Sequence, residues 1–142
     1  MKAGSFFSEM PQFMTPEEEL EYLRDFMLKR GHELREMGNV EFVNDKAANE
    51  VLQAYRSVPA HKAVHKSHLL DKKTHKKIIS TLQIEPHNIV VEELLGLMIT
   101  RGIRNSLLVV EVMNNPYIEA DFHYFLIQYL QTGKVVTRKS WK

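Results

Sequence analysis

The chain has 142 residues, of which 44% are hydrophobic and 26% charged, and its formal net charge is +1 at pH 7. These values are typical of one globular domain with a substantial core, and they exclude a disordered chain and a molecule with a strong overall field of either sign. The chain has no cysteine, which excludes disulfides, thiolate metal sites and cysteine nucleophiles.

The N-terminal segment, residues 1–14, is apolar, but its large side chains show no regular spacing. It has no long apolar run and no cleavage signal, so we expect no signal peptide. We interpret the segment as an arm that docks either on this domain or on a partner. Its large apolar residues are Phe6, Phe7, Met10, Phe13 and Met14.

The first helix has the clearest local signal in the chain. Thr15 can cap a helix, Pro16 suits the first helical position, and Glu18 completes a capping box. Apolar residues then recur at helical spacing as far as Gly38, which predicts a helix over about 16–37. Gly31 is a point at which this helix could break.

A second helix is predicted to start at Asn44 or Asp45, and a basic segment follows it. Apolar residues in the basic segment predict a helix over about 68–82, after a turn of helix that begins at Pro59. Its lysines would point away from the apolar side, so we expect this helix to lie on the outside of the fold.

Charge is distributed in blocks along the chain. Residues 56–80 carry seven basic residues and one acidic residue, a net charge of +6. The flanking blocks are acidic, with net charges of −5 for residues 1–55 and −4 for residues 81–131. Such alternation indicates either internal docking of opposite faces or a bipolar binding surface.

Three apolar segments follow the basic one. Asn88 can cap the first of them, and Asn115 can cap the last, which Gly133 ends. The middle segment, 103–113, is rich in β-branched residues and could be a strand by propensity. We predict a helix there because the sequence offers no convincing partner strand.

Six short helices joined by short loops predict an all-α fold, a compact bundle with a basic outer helix and an apolar N-terminal arm. We expect the arm at 1–14, a single helical domain at 15–133 and a basic tail at 134–142. A lone Trp141 in such a tail is unusual, so one interpretation is a truncation point. The most apolar window, 89–113, carries five charges. We therefore expect no membrane insertion and a cytoplasmic location.

The histidines of the basic segment raise the question of a metal site. His61, His65, His68 and His75 would share a stripe if one continuous helix carried them, and imidazoles four residues apart can hold a zinc or copper ion. The surrounding lysines repel a dication, and Asp71 is the only nearby carboxylate in the sequence that could help to complete the shell. We therefore expect no metal site.

Catalytic motifs are missing from the sequence: it has no glycine-rich phosphate loop, nucleophile elbow or calcium loop. Glu119 and His123 are spaced to form a hydrogen-bonded pair, and such a pair could act in acid–base chemistry. It is more typical of an ordinary surface pair. We expect a protein that is not an enzyme, with no catalytic residues and no cofactor.

The basic segment is the best candidate for a binding site. We predict a non-catalytic interaction domain, either a small adaptor or the soluble part of a larger protein, that contacts a protein partner or a second copy of itself. The alternative is nucleic-acid binding, in which the same side chains contact phosphates. A solvated lysine face with no specific partner is the remaining possibility. The predicted contact residues are Arg56, Lys62, Lys66, Lys72, Lys73, Lys76 and Lys77.

Overall fold

The computed structural model describes residues 10–135, and within that range the chain is helical with no regular strand. The predicted all-α fold class is therefore confirmed. Within the described residues, six helices of eleven or more residues and one helix of four residues make up the bundle. The helices are α1 (Pro16–Glu36), α2 (Val43–Arg56), α3 (Ala60–Ala63), α4 (Lys72–Leu82), α5 (His87–Arg101), α6 (Ile103–Met113) and α7 (Pro116–Thr132).

Two helices begin as the sequence predicts. The Thr15 hydroxyl accepts a hydrogen bond from the Glu18 N–H at 3.1 Å and starts α1. The Asn115 side chain accepts from the first backbone N–H groups of α7, and Gly133 ends that helix with a φ of 73°. α1 continues through Gly31 without a break, because this glycine is buried where α1 faces Val43 of α2.

Other helix starts differ from the prediction. α4 begins at Lys72 rather than near residue 68, because the Asp71 carboxylate accepts a hydrogen bond from the Thr74 N–H at 2.7 Å and caps the helix there. α5 begins directly after Pro86, ahead of the predicted cap at Asn88. α2 begins one residue early, after Phe42 in a left-handed conformation with a φ of 52°.

The core is shared among the longer helices. α1 and α2 pack together as a helical hairpin, α5 and α6 form a second pair, and α7 packs on both pairs. The first two helices and the last three all supply fully buried side chains. Examples from the five helices are Leu23, Leu52, Leu94, Leu107 and Phe122.

The basic helix α4 is peripheral, as predicted. It packs chiefly against α6, and only its last residue, Leu82, is fully buried. Within residues 10–135, no helix is long and apolar enough to cross a lipid bilayer.

Candidate partner-binding surface

Six of the seven predicted contact residues lie together in the segment that runs from α3 to α4, and all six are exposed. In the part of the chain that the structure describes, none of them forms an ion pair with a carboxylate. Their charges are therefore available to an external anion. We call this set the basic surface; it consists of Lys62, Lys66, Lys72, Lys73, Lys76 and Lys77.

The seventh predicted residue, Arg56, has a different role. Its guanidinium donates a hydrogen bond to the Glu119 carboxylate, and its side chain is only 21% exposed. This ion pair joins the end of α2 to the start of α7. Arg56 therefore belongs to the internal packing of the domain, and we leave it out of the basic surface.

The packing of α4 determines which way its lysines point. Ile78 and Ile79 are half-buried and Leu82 is buried, so one side of the helix lies on the core. Lys72 and Lys76, like the pair Lys73 and Lys77, are four residues apart on the exposed side. Four ammonium groups thus line two turns of one helix face.

Asp71 is the acidic residue within this segment. Its exposed carboxylate accepts the capping hydrogen bond from Thr74, and this bond holds the pKa of Asp71 below its usual value of 3.8. The carboxylate is therefore committed to the start of α4 and remains charged at neutral pH. It offsets only part of the positive charge around it.

Two buried polar side chains of α6 hold the chain on either side of α3. Arg104 donates from Nε to the Val58 carbonyl at 2.7 Å. Asn105 donates to the His68 carbonyl at 3.0 Å and accepts from the Leu70 N–H at 3.2 Å. Both side chains are almost completely buried. The backbone around α3 is therefore fixed at several points, which is unusual for an exposed connection.

The N-terminal arm also holds this segment through backbone hydrogen bonds. Phe13 pairs with it like a short strand: its N–H donates to the Ala63 carbonyl at 2.8 Å, and its carbonyl accepts from the His65 N–H at 3.0 Å. The Phe13 side chain is 4% exposed, so this part of the arm docks on its own domain. Phe6 and Phe7, which were also assigned to the arm, lie outside the described residues.

A buried carboxylate supports this arrangement. Glu19 is 2% exposed and accepts hydrogen bonds from the Tyr55 hydroxyl at 2.5 Å, the Arg104 N–H at 2.9 Å and the Ile103 N–H. Burial raises the pKa of Glu19 above its usual value of 4.5, and the three hydrogen bonds counteract part of that rise. Glu19 thus caps α6, the helix that carries the two anchoring side chains.

Gly102 allows the Glu19 carboxylate to approach α6. A Cβ at position 102 would lie 2.7 Å from Oε1 of Glu19, and the φ of 97° is in the region that favours glycine. Sequence reasoning missed this polar cluster because Glu19 stands in an acidic run that is typical of an exposed first helical turn. Arg104 and Asn105, two polar residues that open an otherwise apolar helix, were the available signal.

The histidine stripe does not form, because α3 ends at Ala63 and α4 starts at Lys72. His61, His65 and His68 therefore do not share a helix with His75, and the His65 ring contacts Ser67 at 2.7 Å. Among the described residues, no group of three histidine, aspartate or glutamate side chains is close enough to hold a metal ion.

The possible acid–base pair on α7 is also separated by other contacts. Glu119 pairs with Arg56, whereas Nε2 of His123 lies 2.8 Å from Oδ1 of Asn49 on α2. Burial, together with the nearby Arg56 charge, lowers the pKa of His123 below its usual 6.5. The imidazole is therefore neutral at pH 7 and serves as a contact between α2 and α7.

Comparison with protein-family models, with curated proteins and with solved structures found no match to this chain.

Proposed function

We propose that this protein is a non-catalytic interaction domain, and that the basic surface binds an acidic face of a partner protein. The observation that carries the proposal is that the six lysines are exposed together while none has a carboxylate partner among residues 10–135. Lysines that served only solubility would be expected to alternate with acidic residues on the surface rather than to cluster.

The rigid support of the segment is a second argument for binding. Ordering a mobile loop on association costs free energy, and a loop that is already fixed avoids much of that cost. Phe13 and Asn105 hold the backbone before and after Lys66, and Arg104 holds Val58 ahead of α3. Buried polar side chains thus hold the exposed segment that carries Lys62 and Lys66. This favours a role of the segment in binding over that of a mere connection between helices.

Lysine rather than arginine is the cation of the basic surface, and this favours a protein partner over base-specific contact with nucleic acid. Lysine offers a compact charge, without the planar fork that pairs with a base edge or the flat face that stacks on a ring. Segment 59–77 contains no phenylalanine, tyrosine or tryptophan to stack on bases, and histidine is its only residue with an aromatic ring. Lysines can still bind phosphates, so the test includes oligonucleotides.

The test is fluorescence anisotropy with three labelled probes: a peptide rich in aspartate, glutamate and leucine, a single-stranded oligonucleotide and a duplex. The full chain is titrated at low and at physiological salt. One variant replaces Lys72, Lys73 and Lys76 with alanine. A matched control removes the same number of positive charges elsewhere by replacing Lys29, Lys46 and Lys134, which are also exposed.

Binding of the peptide that the first variant loses and the control keeps would support the proposal. Stronger binding of an oligonucleotide, lost in the same variant and steeply dependent on salt, would establish the nucleic-acid alternative instead. If no probe binds, or if both variants lose affinity equally, the basic surface is only a solvated face and the proposal is wrong.

A further inference from the structure

A groove with acidic walls lies between the arm and α1. It encloses about 340 Å³ and is bounded by the arm and by the outer face of α1. We call it the acidic groove; its lining residues are Pro11, Gln12, Phe13, Glu18, Glu21, Tyr22 and Asp25.

The groove has an aromatic base and charged walls. The rings of Phe13 and Tyr22 meet edge to face with centroids 5.3 Å apart. Above them stand the carboxylates of Glu21 and Asp25, which are exposed and four residues apart on α1. Within the described chain, neither carboxylate has an ion pair. An aromatic base beneath free carboxylates suits the long apolar stem and cationic head of a lysine side chain.

The acidic groove and the basic surface are neighbours, separated by the arm. Gln12 lines the groove, and its side chain donates to the His61 carbonyl at 2.9 Å. Phe13 also lines the groove, and its N–H donates to the Ala63 carbonyl. Lys62 stands between these two contact points in the sequence. The arm that lines the acidic groove is thus hydrogen-bonded to the residues on either side of Lys62, which places the groove and the basic surface next to each other.

When one molecule carries neighbouring patches of opposite charge, a two-fold rotation can place the acidic patch of each copy against the basic patch of the other. An axis that passes close to the arm would set the acidic groove of each copy against Lys62 and Lys66 of the other. Both contacts would then form twice. Apolar surface is available beside them, since Met14 is 41% exposed and Leu28, seven residues after Glu21 on the same face of α1, is 62% exposed.

We infer that the partner of this domain is a second copy of itself, in a two-fold dimer that seats Lys62 and Lys66 of each copy against the acidic groove of the other. This inference rests on the proposed function, since it identifies the acidic face that the basic surface binds. Because exposed ion pairs contribute little one by one, the four charge contacts would act together with the apolar contacts beside them.

Charge reversal and mixing test this dimer in the full chain by sedimentation equilibrium. One variant carries Glu21→Lys and Asp25→Lys, and the other carries Lys62→Glu and Lys66→Glu. Each variant alone should dimerise at least about tenfold more weakly than wild type, because attraction becomes repulsion at both contacts. An equal mixture should form a heterodimer with near wild-type affinity, since both contacts again join opposite charges.

A control variant, Glu41→Lys with Glu93→Lys, reverses two exposed carboxylates outside the groove and should dimerise like wild type. A wild-type chain that stays monomeric, or a mixture that stays monomeric while both variants keep the wild-type helical circular dichroism, would overturn the inference. Peptide binding through the basic surface by a monomeric wild-type chain would leave the proposed function standing. The absence of both dimer and peptide binding would defeat the two together.

Discussion

Glu19→Gln tests the buried polar support of the basic surface, because glutamine keeps the size of the side chain and removes its charge. In the wild type, Oε1 accepts from the Ile103 N–H, while Oε2 accepts from the Tyr55 hydroxyl and the Arg104 N–H. A glutamine amide has one oxygen, so its NH₂ group must face one of the two backbone N–H groups. The Tyr55 hydroxyl can rotate and accept, but a backbone N–H cannot.

The structure therefore predicts that one buried backbone N–H of α6 loses its acceptor, which costs about 1–3 kcal/mol. Loss of the negative charge at the N-terminus of α6 destabilises the folded state by a further ~0.3–1 kcal/mol. Relief from burying that charge acts in the opposite direction and offsets part of the loss. We expect the free energy of unfolding to fall by about 1–3 kcal/mol.

Urea denaturation followed by circular dichroism measures this change directly, and the dependence on urea concentration should be unaltered. Glu17→Gln is the matched control, since Glu17 is an exposed carboxylate in the same helical turn, and its effect should stay within about 0.5 kcal/mol. If Glu19→Gln changes stability no more than this control, or raises it, the carboxylate does not support α6 as we argue.

Three further substitutions test other polar contacts of the fold. Asn105→Ala leaves the buried Leu70 N–H without an acceptor and should lower the free energy of unfolding by about 1–3 kcal/mol. Hydrogen exchange at the Leu70 amide should accelerate, and unchanged exchange would count against the anchoring role of Asn105. Gly102→Ala places a Cβ 2.7 Å from the Glu19 carboxylate at a positive φ. The free energy of unfolding, measured by thermal unfolding, should therefore fall by at least about 1 kcal/mol. An unchanged melting temperature would show that the contact relaxes without cost. Burial lowers the pKa of His123 below 6.5, so the unfolded chain takes up a proton at a higher pH than the folded one. The stability of the wild type should therefore decline as pH falls below 6.5. In urea titrations at several pH values, His123→Gln should flatten this decline, and parallel curves for variant and wild type would refute the argument.

Local sequence signals predicted the helices well where a cap is encoded by neighbouring residues. Thr15 with Pro16, and Asn115 before Pro116, gave correct helix starts because all the partners lie within one turn. The start of α4 was missed because two kinds of signal competed. Leu69 and Leu70 fit a helical pattern, but the side chain of Asp71 caps the chain only from Lys72 onwards.

The basic surface could be identified from sequence because its lysines all fall within residues 62–77, and the exposure of the four on α4 follows from the apolar stripe of that helix. Arg56 could not be separated from them, since its partner Glu119 is 63 residues away in the chain. Glu19 was hidden for the same reason. Its neighbours Glu17 and Glu18 are exposed, and only the packing of α6 against α1 distinguishes the third carboxylate.

The central claim is that the basic surface, held rigidly by the arm and α6, is where this domain meets an acidic partner. A titration of the ¹⁵N-labelled chain with the acidic peptide, followed by amide chemical shifts, tests it most directly. We expect saturable shifts concentrated in residues 60–77, with the amides of α2 and α7 unchanged. Shifts spread over other faces, or no shifts at peptide excess, would contradict it.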